Sequence, residues 1–358
     1  MKIGILTYHR SHNYGALLQA IALRHVLEEM GHEVTFIDYW PAYHRHLYKA
    51  FSFRYMMDRP SFLERCYYVK NCILYYKARR ERIVNFTGFL DDYIMPYLSS
   101  MDESYDLIIH GSDQIWRKQP EMHTYNPIYF GQSSIKTKRK ISYAASMGLI
   151  AKSEKDKAVV KRLLGNLDSI SVREVELKQL VESMGYNCIQ HIDPTLLLTG
   201  EEWIDLMKIY QTKSERYVLY YHMLENSFEV EQIRKFAQNK GLGLKIIYSS
   251  AVKKSSKLEI TTADPKRFLE LILGAEYIFT SSFHGLVFSL LFQKEVFAAF
   301  GKNSGRAKSL LSQLGIEDRL LRPMSNIPLD APAINYRIVY GPLIKFKEAS
   351  LKYLQNVY

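Results

Sequence analysis

Five short segments combine residue types whose spacing suits chemistry on an anion. In Phe279-Thr280-Ser281-Ser282-Phe283-His284-Gly285 a histidine stands between a strand-like run and the start of a helix. Ser281 and Ser282 offer hydroxyls, the helix start offers free N–H groups, and Gly285 lets backbone come close. A bound anion there would raise the pKa of His284 and make it a usable acid at neutral pH. Ile170-Ser171-Val172-Arg173-Glu174 ends a buried run on Arg173, whose planar guanidinium suits two-point capture of carboxylate or phosphate, or an ion pair to a neighbour such as Glu176. In Gly111-Ser112-Asp113-Gln114-Ile115-Trp116, Asp113 and Gln114 could pair with sugar hydroxyls while Trp116 covers the apolar face of the ring. The same residues also read as a helix cap and a core tryptophan. His12-Asn13-Tyr14-Gly15 offers Asn13 as a cap and Gly15 as a point where backbone can approach a ligand, or a common turn. Lys302-Asn303-Ser304-Gly305-Arg306 is a basic loop leading into a helix, suited to a second anion contact through Arg306 or to a plain surface turn.

These residues can meet only if the elements around them bring their ends together. Residues 3–8 read as a strand, Leu17 to Leu27 as a helix stopped by Gly31, and Val34 to Ile37 as a second strand, which makes one βαβ unit with parallel strands. Strand-like runs recur at 105–110, 141–145, 169–172 and 189–192, and a second series follows at 217–221, 244–248, 277–280 and 296–298, alternating with helical patterns. The fold class is therefore α/β, with two Rossmann-like parallel-sheet domains facing a cleft. The first domain covers residues 1–205 and carries a helical insertion at 41–100; the second covers 206–335. A closing helix over 336–358, from Leu343 to Val357 in its apolar pattern, is expected to pack back on the first domain. Each motif falls at the carboxyl end of a strand, where such sheets bind ligands.

Composition narrows the setting. Of 358 residues, 47% are hydrophobic and 24% charged, the balance of a folded, water-soluble chain. Lys+Arg 48 against Asp+Glu 37 points to an anionic partner. Much of that excess lies between residues 41 and 90, where ten basic residues and three acids are interleaved with tyrosine and phenylalanine. Such a surface suits anionic head groups, with Arg79, Arg80 and Arg82 as the docking residues, or else it is a helical insertion with one solvated face. No nucleic-acid motif is present in it. The three cysteines give neither a disulfide framework nor a zinc spacing, and no cluster suggests a metal or cofactor. Met1 to Tyr8 lacks the pattern of a secretory signal, and the run from Tyr277 to Phe292 is too short and too interrupted to span a bilayer. A cytoplasmic protein, peripheral at most to the inner face of the membrane, is expected.

Taken in order, Asn13-Tyr14-Gly15-Ala16-Leu17-Leu18-Gln19-Ala20, Gly111 to Trp116, Ile141-Ser142-Tyr143-Ala144-Ala145-Ser146, Asp193-Pro194-Thr195 and Ser281 to Gly285 resemble the polysaccharide pyruvyl transferase family from residue 3 to about 320. The resemblance implies a GT-B-like architecture with the acceptor on the N-terminal domain and phosphoenolpyruvate on the C-terminal one. It implies transfer of a pyruvyl group to two hydroxyls of a sugar as a cyclic ketal, with release of phosphate and without a cofactor. On that basis His284 and Asp113 are the catalytic candidates: His284 as general acid, Asp113 to orient or deprotonate the acceptor. Arg173, Arg306, Ser281, Ser282, Gly285, Asn13, Gly15, Gln114 and Trp116 are the binding candidates. Two positions depart from the family pattern: Ser282 stands where relatives carry an arginine, and Ala16 where many carry an acid. Arg306 is expected to supply the missing charge. The acceptor is a sugar or glycan, of which a lipid-diphosphate-linked form would suit the basic segment. The rival function on the same fold is a nucleotide-sugar glycosyltransferase of polysaccharide biosynthesis.

Overall fold

The computed structural model describes residues 1–210, 215–223, 228–251, 259–300 and 305–356. The chain opens with β1 (Lys2–Leu6), α1 (Tyr14–Glu29) and β2 (Glu33–Ile37), then four helices, α2 (Ala42–Arg45), α3 (Phe53–Met57), α4 (Phe62–Leu74) and α5 (Tyr76–Tyr93). There follow β3 (Leu98–Ser99), β4 (Ser104–His110), β5 (Lys136–Ser142), α6 (Glu154–Leu164), β6 (Ser171–Val172), α7 (Val175–Ser183), β7 (Ile189–Gln190) and α8 (Gly200–Met207). The second series is β8 (Tyr217–His222), α9 (Val230–Asn239), β9 (Gly243–Tyr248), β10 (Glu259–Ile260), α10 (Pro265–Gly274), β11 (Tyr277–Thr280), α11 (Phe283–Leu291), β12 (Glu295–Ala299), α12 (Gly305–Gln313), β13 (Leu320–Leu321) and α13 (Tyr336–Asn356).

The first sheet runs β3-β2-β1-β4-β5 and the second β10-β9-β8-β11-β12-β13, every pairing parallel. The pair β6-β7 continues the first sheet through isolated bridges from Ile141 to Ser169 and from Ala145 to Val172. This is the expected plan of two parallel α/β sheets. Its strands are apolar on both faces because helices cover both, which is why they read as continuous runs rather than alternations. Gly31 closes α1 at φ +86°, a conformation that side chains resist. Strand order reverses between β1 and β4 in one sheet and between β8 and β11 in the other, and the loops beyond those strands face the cleft.

One apolar core runs through both halves. Tyr14 on α1 stacks on Phe268 of α10 at 4.4 Å and donates its hydroxyl to Ala263 O at 2.9 Å. The insertion helix α5 ties the halves from the side. Arg82 donates to Tyr14 Oη, Thr261 O and His12 O; Asn85 donates to Thr262 O at 2.7 Å; and Thr262 donates to Glu81 at 2.9 Å. The expected docking arginines are thereby divided. Arg82 is buried in this strap, and Arg79 is spent on the carbonyls of Ala50 and Lys49; Arg80 is exposed. A charge count cannot separate a solvated arginine from one that anchors a domain contact. At the chain's end, the ring of Tyr353 of α13 lies tilted against His191 at 4.4 Å and its hydroxyl donates to Ser142 O at 3.2 Å, so this helix lies on the first sheet; Val357 lies outside the described residues.

Candidate active site

The strand ends of both sheets deliver a buried polar cluster into the cleft. Arg173 follows β6, Asp193 follows β7 and His284 begins α11 after β11. The Arg173 guanidinium is ion-paired to Asp193 Oδ2, and His284 Nε2 stands 3.4 Å from the same oxygen. Asp193 Oδ1 is fixed by the amide and hydroxyl of Thr195, at 3.0 and 2.7 Å. Burial would push this carboxyl up, but Arg173 and His284 together with the Thr195 hydroxyl outweigh it and hold the group well below the usual carboxylate range. One ionised carboxylate thus serves both a buried arginine and a buried histidine.

Two guanidiniums converge here. Arg173 and Arg306 lie over the ring of Phe283, 5.1 and 5.3 Å from its centroid, and approach Glu174 Oε1 at 3.6 and 3.9 Å. Glu174 in turn accepts from Ser146 Oγ at 2.6 Å. Burial works against the charge on Arg173, but Asp193, Glu174 and Asp113 raise its pKa above the ordinary value. Arg306 goes the other way, down to about 10, through burial and the neighbouring charge of Arg173. Arg173 Nη2 has no hydrogen-bond partner among the described residues, although it is buried. A buried, unmatched guanidinium N–H costs stability unless a ligand meets it, and an anion between the two arginines would also relieve their repulsion.

His284 is packed from the first domain by Gly15. A methyl group on Gly15 would fall 1.9 Å from His284 Nδ1, so α1 can approach the ring only because this residue has no side chain. Asn13 is exposed and caps α1, its Oδ1 accepting from Ala16 N at 3.2 Å. Asp113 is half-buried at φ 68°, with Oδ1 accepting from Gln114 N at 2.7 Å, and its charge is felt by Arg173 and Arg306 on one side and by Tyr8, His44 and Tyr48 on the other. Gln114 is half-buried beside Gly148.

Several binding candidates have structural employment instead. Trp116 is fully buried, stacked on Phe130 at 4.9 Å, and donates its indole N–H to Tyr129 O at 2.9 Å, so it packs the core and presents no face to a sugar. Ser282 is the N-cap of α11, with Oγ accepting from Gly285 N at 3.3 Å, and Ser281 Oγ accepts from Met223 N at 3.2 Å. These hydroxyls organise the loop that carries His284 rather than standing open to an anion. Gly285 is required by packing, since a Cβ there would lie 2.4 Å from Thr280 Oγ1. Of the loop 302–306, residues 302–304 lie outside the described residues, while Gly305 and Arg306 start α12. The ion pairs of Arg173 are to Asp193 and Glu174 and not to Glu176, the neighbour named in the alternative reading of this residue. Asp193 and Glu174, which pair with Arg173, Arg306 and His284, were not singled out from the sequence. Asp193 was visible only as the first residue of Asp193-Pro194-Thr195, where an Asp-Pro pair reads as a turn. Gln19 was likewise visible in the first motif, and its amide holds the 111–116 loop by accepting from Ser112 N at 3.1 Å.

Fold and site together define a two-domain α/β protein with a charged cluster sealed between its sheets. The chain belongs to the polysaccharide pyruvyl transferase family, whose model matches residues 13–300, and so to the transferases of polysaccharide biosynthesis. The match includes Asp113, Arg173, Asp193 and His284, while Arg306 lies beyond it. No curated protein sequence gives a significant match. Similar solved structures include a UDP-GlcNAc 2-epimerase from Methanocaldococcus jannaschii, at 12% identity over 98% of this chain and 93% of that one, TM-score 0.46. A glycosyltransferase from Streptomyces nogalater matches at 8% identity over 98% and 95%, TM-score 0.43. A heptosyltransferase from E. coli matches at 10% over 96% and 99%, TM-score 0.40.

Proposed function

We propose that the protein transfers the pyruvyl group of phosphoenolpyruvate to two hydroxyls of a sugar in a polysaccharide precursor, forming a cyclic ketal and releasing phosphate. The observation that supports it most is the buried Arg173 guanidinium and the half-buried Arg306 guanidinium, gathered on Phe283 beside His284. A donor carrying both a carboxylate and a phosphate needs two such cations, and Arg306 provides the second in a chain that has Ser282 where the family resemblance implies an arginine.

The His284 imidazolium gives a proton to the methylene carbon, creating a methyl group and an oxocarbenium-like centre. Asp193, already ionised, faces the His284 ring, and the arginines hold the anionic groups throughout. One sugar hydroxyl adds to that centre, the C–O bond to phosphate breaks, and the second hydroxyl closes the ring. Two protons leave the hydroxyls: one replaces the proton His284 gave up, the other departs on phosphate. Asp113 is the carboxylate assigned to receive the first of them. Thermal melts decide between donors: phosphoenolpyruvate should raise Tm and UDP- or GDP-sugars should not. Stabilisation by nucleotide sugars alone would replace this reading with a glycosyltransferase.

A further inference from the structure

Helix α4 is built inside out. Its inward face is held by two residues, Tyr68 and Cys72, and Tyr68 Oη accepts from Ser52 N at 3.0 Å. Its apolar stripe, Phe62, Cys66, Val69 and Ile73, follows the i, i+4, i+7, i+11 spacing of one helix face and points outward. Phe62 is 76% exposed and Ile73 72%, while neighbouring Leu63 and Leu74 stand open as well. With Met56 and Met57 of α3 the stripe forms an apolar groove of about 670 Å³. A water-soluble surface does not keep so much contiguous apolar area without something to cover it.

The charges around the groove say what that is. Arg65 and Lys70 lie on its rim, Arg65 with its guanidinium also donating to Arg59 O and Met57 O, Arg54 stands exposed on α3 and Lys77 at the start of α5, and among the described residues no carboxylate lies within ion-pair distance of any of the four. A second copy of the chain would bring like charges face to face. Nucleic acid has no hydrocarbon to fill the groove. An anionic bilayer matches both features, with head groups meeting the cations and acyl chains receiving Phe62 and Ile73, while the long Lys and Arg stems lie along the interface. We infer that the α3–α4 face is a docking surface for an anionic lipid bilayer. No helix among the described residues is long and apolar enough to cross a membrane, so the contact is an interfacial one. The inference does not depend on the pyruvyl reading, since vesicle binding uses neither donor nor acceptor.

Flotation of the full-length protein with phosphatidylcholine vesicles, with and without phosphatidylglycerol, tests it. Wild type should float with the anionic vesicles and be released by high salt. Phe62→Ser with Ile73→Ser should cut partitioning by roughly tenfold or more without lowering Tm, because both side chains are exposed. Lys70→Gln with Lys77→Gln, which leaves every apolar side chain of the groove in place, should remove the preference for phosphatidylglycerol by about tenfold. Failure of wild type to bind anionic vesicles, or equal binding by both variants, would overturn the assignment. So would a wild-type dimer that becomes monomeric in the Phe62/Ile73 variant, because the face would then belong to a second copy.

Discussion

Replacing Gly15 by Ala puts a single methyl group against the proposed acid. The new carbon would sit 1.9 Å from His284 Nδ1, 2.3 Å from Cγ and 2.4 Å from Cε1. Normal contact begins near about 3.5 Å, so the ring or the helix must give way by about 1.5 Å. The backbone itself has no reason to object, since Gly15 is inside α1, where alanine is favoured over glycine by about 1 kcal/mol. Displacement therefore falls on His284, which Asp193 and Phe283 hold from the other sides. Misplacing a catalytic group by about 1 Å costs on the order of 10²-fold, so kcat should drop about a hundredfold, or about 2.7 kcal/mol of barrier. The KM for phosphoenolpyruvate should hold within a few-fold because Arg173 and Arg306 are untouched. Continuous phosphate release at saturating donor, read beside a thermal melt, measures both. A variant with near wild-type kcat and an unchanged melt would show that the position of His284 against α1 is not what the chemistry uses.

Arg306→Gln removes one of two charge-assisted contacts to the donor and should raise its KM by roughly 10- to 150-fold, the equivalent of about 1.5–3 kcal/mol; a KM within twofold would return Arg306 to an ordinary surface role. Trp116→Phe leaves the Tyr129 carbonyl without its buried donor and should cost about 1–3 kcal/mol in denaturant melts while the acceptor KM stays put. A raised acceptor KM with unchanged stability would restore the tryptophan to the sugar site. Acid should destabilise the fold: burial lowers His191 to about 4 and His110 to about 3, against about 6.5 in the unfolded chain. The unfolded state then binds the extra protons, so stability is complete above about pH 6.5 and falls as pH drops towards 4, with roughly 3–4 kcal/mol lost by about pH 5 for the two together. A Tm that is flat between pH 7.5 and 5 would contradict that burial.

Strand and helix positions were legible because both sheets are parallel and covered on two faces, which leaves apolar runs bounded by glycine stops such as Gly31 and Gly241. The two-residue strands β3, β10 and β13 were not, since two residues carry no period and exist only through their neighbours. His284, Arg173 and Arg306 could be named from residue type and placement at strand ends. Asp193 could not be given its role, because that role arises only when positions 173, 193 and 284 meet across two sheets. Trp116 and Arg82 show the converse. A tryptophan beside Asp and Gln, and an arginine in a basic run, have the same sequence appearance whether they face solvent or close a core, and the difference lies in partners far away in the chain, Tyr129 for one and Thr261 for the other.

Turnover in D2O with phosphoenolpyruvate and a galactoside, mannoside or hexosamine acceptor addresses the central proposal most directly. Protonation of the methylene carbon by His284 predicts one deuterium in the methyl group of each ketal, one phosphate released per ketal, and loss of both in His284→Gln with the fold intact. Undiminished turnover in His284→Gln, or a ketal methyl free of deuterium, would contradict it.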